Sequence, residues 1–286
     1  MNTSQDLLKR LIKLFPVKVL KEEFNLTSTS DSLYDEIIQN INESLIKDFV
    51  YSNINLTKQH IYIYDIDKTF NINSFKRESF PFPVIKSSSA ANELTIVISP
   101  IVDFSVVLSN PYEETNIQFH QPFIIRLKEK KLIIQSTILE KKIGAYFESN
   151  RKVLDVVKVN DELESILKVM GYFLDYSFNI CDLNKGVKHM WEKDTIDSKY
   201  VKWKKNRSTT TESMDEDYTL KSQYPDVYKS LMKSPLNKTI FKYLLNDELL
   251  PEHFTIDPSN GELSVPIFPK NQNQIRNVID GILSQN

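Results

Sequence analysis

Between Leu94 and Ile138, five runs of apolar and β-branched residues follow one another with only short breaks: Leu94–Ser99, Phe104–Leu108, Ile117–His120, Phe123–Leu127 and Leu132–Ile138. Pro100, the pair Asn110-Pro111 and the charged stretch at 128–131 punctuate them. A parallel pair needs a crossover of about a dozen residues or more, usually a helix, and these breaks leave no room for one. The spacing therefore predicts an antiparallel or mixed sheet, not a doubly wound parallel one.

Helical periodicity flanks this stretch. Leu7, Leu8, Leu11, Ile12 and Leu14 share a helix face that Pro16 ends, and Val17, Leu20 and Phe24 suggest a second short helix. After a polar turn at 27–32 come Leu33, Ile37, Ile38, Ile41 and Leu45. The period switches at Lys58, and residues 60–67 read as a strand. Residues 71–92, with Pro81, Pro83 and three consecutive serines, read as loop. Beyond Arg151, Asn160-Asp161 caps a stripe of Leu163, Ile166, Leu167, Met170, Phe173 and Leu174. Lys185–Lys205 reads as a strongly basic helix. Residues 206–222 are polar and low in complexity, the pattern of a linker or disordered loop. A helix over Asp226–Met232, another opened by Ser234-Pro235, a hairpin across 257–261 and a helix over Asn273–Leu283 complete the chain. The reading is α+β: a helical module over 1–57, a sheet-containing core over 58–205, a linker over 206–222 and a C-terminal module over 223–286. The order of elements in 225–267 is also that of a winged helix, a fold that serves DNA reading or protein docking.

Only five glycines occur, Gly144, Gly171, Gly186, Gly261 and Gly281, and no two are closer than 15 positions. Phosphate-cradling loops, dinucleotide turns and nucleophile elbows all require closely spaced glycines. Those enzyme classes are thereby disfavoured. The hydrophobic fraction of 41% is ample for a core, and the net charge of −2 means that nucleic-acid affinity must come from local patches. Cys181 is the sole cysteine, so no internal disulfide or thiolate metal cluster forms, as in a reducing compartment. His60, His120, His189 and His253 are isolated; His120 beside Cys181 would be the one Cys/His pair of interest. The N-terminus lacks a signal-peptide layout and no apolar run has the length of a membrane span, so a cytoplasmic protein without membrane attachment is expected.

Two segments carry resemblances. Tyr64-Asp65-Ile66-Asp67-Lys68-Thr69 follows an apolar strand and resembles the D-x-D-x-T signature of haloacid-dehalogenase-type phosphatases. That resemblance implies Asp65 as nucleophile, Asp67 as general acid/base and a Mg²⁺ ion on the phosphate, with Ser99 closing a second motif. The family's closing acidic motif has no counterpart here. Residues 11–41 resemble a SAP-like nucleic-acid module in their apolar frame: Leu14, Val17, Leu20, Phe24, Leu26 and Leu33 to Ile37. The usual turn glycine and lysine are replaced by Ser30 and Asp31. The same stretch is similar to a centromere-protein-N-like helical module.

Two basic stretches add a third class of function. Arg126 to Lys158 holds nine Lys and Arg against four acids; Lys185 to Arg207 holds eight against three, interleaved with His189, Trp191, Tyr200 and Trp203. Cations beside aromatics suit phosphates and unpaired bases. Lys202, Trp203, Lys204, Lys205 and Arg207 are the nucleic-acid candidates; the alternative is a solvated helix face with both tryptophans packed inward. Taken together, the residues favour a non-catalytic binding or scaffold component of an intracellular assembly, without cofactor. It holds a protein partner through its helical ends, and nucleic acid through its basic surface. In composition it is like the AT-rich, motif-poor subunits of bacterial defence systems. The alternative is a Mg²⁺-dependent phosphatase centred on Asp65.

Overall fold

The computed structural model describes residues 3–77, 82–90, 93–139, 143–147, 150–205, 208–213, 218–245 and 247–285. Four helices open the chain: α1 (Ser4–Ile12), α2 (Val17–Phe24), α3 (Ser30–Asn40) and α4 (Glu43–Ser52). Strands follow as β1 (Gln59–Ile66), β2 (Val84–Ala90), β3 (Glu93–Ile98), β4 (Ile101–Leu108) and β5 (Glu113–His120). Then come β6 (Phe123–Lys128), β7 (Lys131–Thr137), β8 (Val153–Lys158), α5 (Glu162–Leu174) and β9 (Phe178–Ile180). The remainder is α6 (Asn184–Glu192), β10 (Ile196–Lys205), β11 (Ser208–Ser213), α7 (Leu220–Gln223) and α8 (Pro225–Lys233). It closes with β12 (Thr239–Tyr243), β13 (His253–Asp257), β14 (Glu262–Val265) and α9 (Gln274–Leu283). Registered strand pairs are antiparallel throughout, and the class is α+β. Among the described residues no helix is long and apolar enough to cross a membrane.

The chain divides into two compact units: Met1–Ile54 with Asp67–Lys130 and Ser136–Phe178, and Asn55–Ile66 with Lys131–Gln135 and Asn179–Asn286. These boundaries cut through the expected 58–205 core, because β1 and the start of β7 fold with the C-terminal residues.

In the first unit, Thr3 and Asp6 cap α1 reciprocally, and the hydrogen bond from Thr3 holds the Asp6 carboxyl below its ordinary pKa. α1 ends at Ile12 with Lys13 as its C-cap, and Pro16 stands at the N-cap of α2. Leu11, Ile12, Leu20, Leu33, Ile37 and Val50 are buried, with the Phe15 and Phe49 rings 5.1 Å apart. A three-stranded sheet runs β5-β4-β8, and α1 packs on β5. Arg10 is buried there; its guanidinium donates to the Gln118 carbonyl at 2.7 Å and lies over the Phe119 and Tyr146 rings. The same unit contains the row β6-β3-β2. Here the loop expected at 71–92 needs correction. Ser87 to Ser89 pair with Ile96 to Leu94, because an outermost strand tolerates small polar residues when the backbone ladder is satisfied.

In the second unit the strands run β11-β10-β12-β13-β14-β1-β7, and β9 adds to β1. Period-2 alternation puts Ile61, Leu263, Ile256, Phe254 and Phe241 on one face, where they meet Val187, Trp191, Leu231, Ile275, Val278 and Ile282 from the helices. Gly186 marks the α6–α9 crossing, where a Cβ would fall 1.9 Å from the Ile282 carbonyl oxygen. Gly261 takes φ +63° between β13 and β14 and ends the expected hairpin.

Three further expectations are corrected in this unit. Lys185–Lys205 is not one helix. Asp194, at φ 52°, follows α6, and Ile196 to Tyr200 then pair with Tyr243 to Ile240. Residues 206–222 do not behave wholly as a linker: Ser208–Ser213 is β11, since threonine-rich segments suit a ladder that β10 supplies. Ser234-Pro235 opens no helix; an extended segment leads into β12, so among the described residues 225–267 holds one α-helix, a short 3-10 turn at Pro258–Asn260 and three strands of the larger row.

Candidate functional site

The C-terminal end of β1 brings Asp65 beside Lys131, the first residue of the neighbouring strand β7. Cys181 joins them because its backbone N–H donates to the Ile63 carbonyl at 3.1 Å, extending the β9–β1 pairing. Gly261 lets these strands close up: its own carbonyl accepts from Ile63 N–H at 2.8 Å, and a Cβ there would be 2.5 Å from the Ile63 oxygen. The Lys131 ammonium donates to Asp65 Oδ1 at 2.5 Å and to Cys181 Sγ at 3.1 Å. Burial opposes the Lys131 charge, but the two hydrogen bonds outweigh it and its pKa is raised. Burial also pushes the Cys181 thiol up, against the pull of the ammonium, so the sulfur is a neutral thiol at neutral pH.

A cleft of about 530 Å³ opens over this trio, lined also by Asp182, Asn184, Lys185 and Lys188. All seven residues belong to the second unit. Asp182 Oδ1 accepts from the Asn184 backbone N–H and from its side-chain amide, and Asn184 Oδ1 accepts from Leu236 N–H, which fixes the start of α6. Lys188 Nζ donates to the Ser234 carbonyl at 2.8 Å. The first two lysines of the basic stretch thus line the same cleft as Asp65, a convergence the sequence did not reveal because 120 and 123 positions separate them from it.

Asp67 lies in the first unit, where its carboxylate accepts from Ser177 N–H at 3.1 Å, and Lys68 pairs with Asp175 at 2.9 Å. Ser99 follows β3 in that unit. In the cleft, Asp65 is bound to Lys131 and Asp182 to Asn184, a donor set that does not fit the Mg²⁺ ion of the phosphatase resemblance. Among the described residues no three His, Cys, Asp or Glu side chains gather as a metal site. Cys181 Sγ accepts from Lys131, and His120 Nδ1 contacts the Ser99 carbonyl at 3.4 Å.

Of the nucleic-acid candidates, Lys202, Trp203, Lys204 and Lys205 stand on β10, opposite Thr211, Thr210, Thr209 and Ser208 of β11. Arg207 lies outside the described residues. The two strands pair antiparallel at the end of the row, with the Ser/Thr-rich β11 outermost and the lysine-bearing β10 next to it. Trp191 is a core residue: its indole donates to buried Asp197 at 3.1 Å, and its ring stands edge-on to Tyr228 and Phe241. The other basic stretch is dispersed. Arg126 is buried near Glu93, Arg151 pairs with Glu113, Lys158 with Glu162 and Lys131 with Asp65, while Lys141 and Lys142 lie outside the described residues.

No protein family, no curated protein and no solved structure matches this chain.

Proposed function

We propose that the protein is a non-catalytic binding component of an intracellular assembly, with the β10–β11 hairpin as its nucleic-acid contact and the N-terminal helices as its protein contact. The observation that carries this reading is the placement of Lys202, Lys204 and Lys205, with Trp203 between them, on a terminal hairpin. Period-2 alternation puts Trp203 and Lys205 on one face of β10 and Lys202 and Lys204 on the other, so a cation shares a face with an aromatic residue, a pairing that suits phosphate and unpaired base together. The helices α1 to α3, whose apolar frame resembles SAP-like and centromere-protein-N-like modules, provide the second surface.

Two observations favour binding over the phosphatase alternative. Successive strands β3 to β7 follow one another without an intervening helix among the described residues, where a phosphatase of that type alternates strand and helix. Asp67, its presumed general acid/base, has its carboxylate engaged by the Ser177 backbone N–H at 3.1 Å. Recovery of the tagged chain from its native host, with and without nuclease treatment, tests the reading. A partner retained in both preparations, with nucleic acid lost in the second, supports it; a chain recovered alone in both contradicts it.

A further inference from the structure

The cleft over Asp65 has a charge pattern that its structural role leaves unexplained. On other helices four lysines pair with a carboxylate three or four residues away: Lys18 with Glu22, Lys47 with Glu43, Lys168 with Glu164 and Lys229 with Asp226. On α6, Lys185 and Lys188 are three residues apart and so are neighbours on one helix face, where like charges repel. Among the described residues neither is paired with a carboxylate. Lys188 bypasses Glu192, four positions on, for the neutral Ser234 carbonyl, and Asp182 turns its Oδ1 to Asn184. Lys131 completes the lining; of its three N–H donors, one meets Asp65 and one meets Cys181.

We infer that this cleft binds a small-molecule phosphate monoester, through Lys185 and Lys188 with the remaining Lys131 donor. A phosphate monoester carries about 1.5 to 2 negative charges at neutral pH, which matches two ammoniums without carboxylate partners better than the single charge of a carboxylate does. Its oxygens accept charge-assisted hydrogen bonds from all three lysines. A volume of about 530 Å³ is that of a site for a ligand larger than phosphate alone. Asp65 orients Lys131 and at the same time repels the incoming anion, so it lowers affinity. The site is independent of the β10–β11 hairpin.

Calorimetric titration of the full chain at constant ionic strength tests this with inorganic phosphate, a nucleoside monophosphate and the parent nucleoside. Saturable binding of the first two and none of the third is expected. Lys185→Gln with Lys188→Gln weakens binding about tenfold or more, Lys185→Arg with Lys188→Arg retains it, and Asp65→Asn tightens it. Lys229→Gln with Lys233→Gln, on α8, leaves it unchanged. Melting curves identify any variant that fails to fold, and the arginine pair then carries the comparison. Absence of saturable binding, or equal binding by the glutamine pair, overturns the proposal. A 5′-phosphorylated oligonucleotide that binds better than its 5′-hydroxyl form, while inorganic phosphate does not bind, also overturns it, in favour of a strand end.

Discussion

Asp65 and Lys131, 66 positions apart in the chain, form the ion pair at the head of the β1–β7 neighbourhood, with Nζ and Oδ1 2.5 Å apart. The Asp65 side chain is 44% exposed, so solvent screens the pair. A double-mutant cycle with Asp65→Asn and Lys131→Met is expected to give a coupling below about 1 kcal/mol in urea unfolding. A coupling of several kcal/mol would mean a dry, structural pair and no accessible cleft.

The pH dependence of stability follows from the same trio. Lys131 and Cys181 both hold their protons more tightly in the folded chain than their ordinary values of 10.5 and 9.0. Across that window the unfolded state binds fewer protons, so their contribution is intact at neutral pH and is lost as pH rises through the folded values. Melting temperature should therefore fall from about pH 9 upward, and Cys181→Ala should flatten the first part of that fall. A melting temperature that rises from pH 9 to pH 10 would contradict the assigned environment.

Gly186 has no room for a side chain. Its Cβ position is 1.9 Å from the Ile282 oxygen and 2.7 Å from the Ile282 carbonyl carbon, both backbone atoms that cannot rotate away. Gly186→Ala should cost about 3 kcal/mol or more by forcing α6 and α9 apart. Gly281→Ala is the contrast, since its Cβ meets the flexible Met190 side chain at an ordinary 3.5 Å. Equal denaturation midpoints for the two variants would refute the close crossing.

Catalysis is the next discriminator. No hydrolysis of a generic phosphomonoester is expected with Mg²⁺ present. Turnover that disappears in Asp65→Asn would restore the phosphatase reading and remove the binding one.

Much of the fold is legible in the chain where pattern and burial coincide. The strands from Leu94 to Ile138 announce themselves because most of their apolar residues are buried in the strands they form. The 257–261 hairpin is signalled by its turn residues, with Gly261 at positive φ. The misread segments share a different physics. Ser87 to Ser89 and Ser208–Ser213 are strands by virtue of backbone pairing, with little apolar side chain to show it. Lys199 to Lys205 alternates charge with aromatics over too few residues to separate a period of 2 from one of 3.6. The Asp65 cleft was half visible. Asp65 stood out by its motif, whereas Lys131 and Cys181 come to it through strand adjacency that no local pattern encodes.

Nucleic-acid binding by the β10–β11 hairpin, the central claim, is tested most directly by the salt dependence of oligonucleotide affinity. Single-stranded RNA, single-stranded DNA and duplex are titrated at several salt concentrations with the parent chain and with Lys202, Lys204, Lys205 and Arg207 all changed to Ser. The parent should bind with log K falling linearly in log salt. The variant should bind more weakly, with a slope flatter by roughly 0.7 to 0.9 for each phosphate that it no longer neutralises. Trp203→Ala should cost more on single strands than on duplex, since stacking on an unpaired base contributes about 1–3 kcal/mol. Undetectable binding of all three nucleic acids at low salt, or a quadruple variant with unchanged affinity and slope, would contradict the claim.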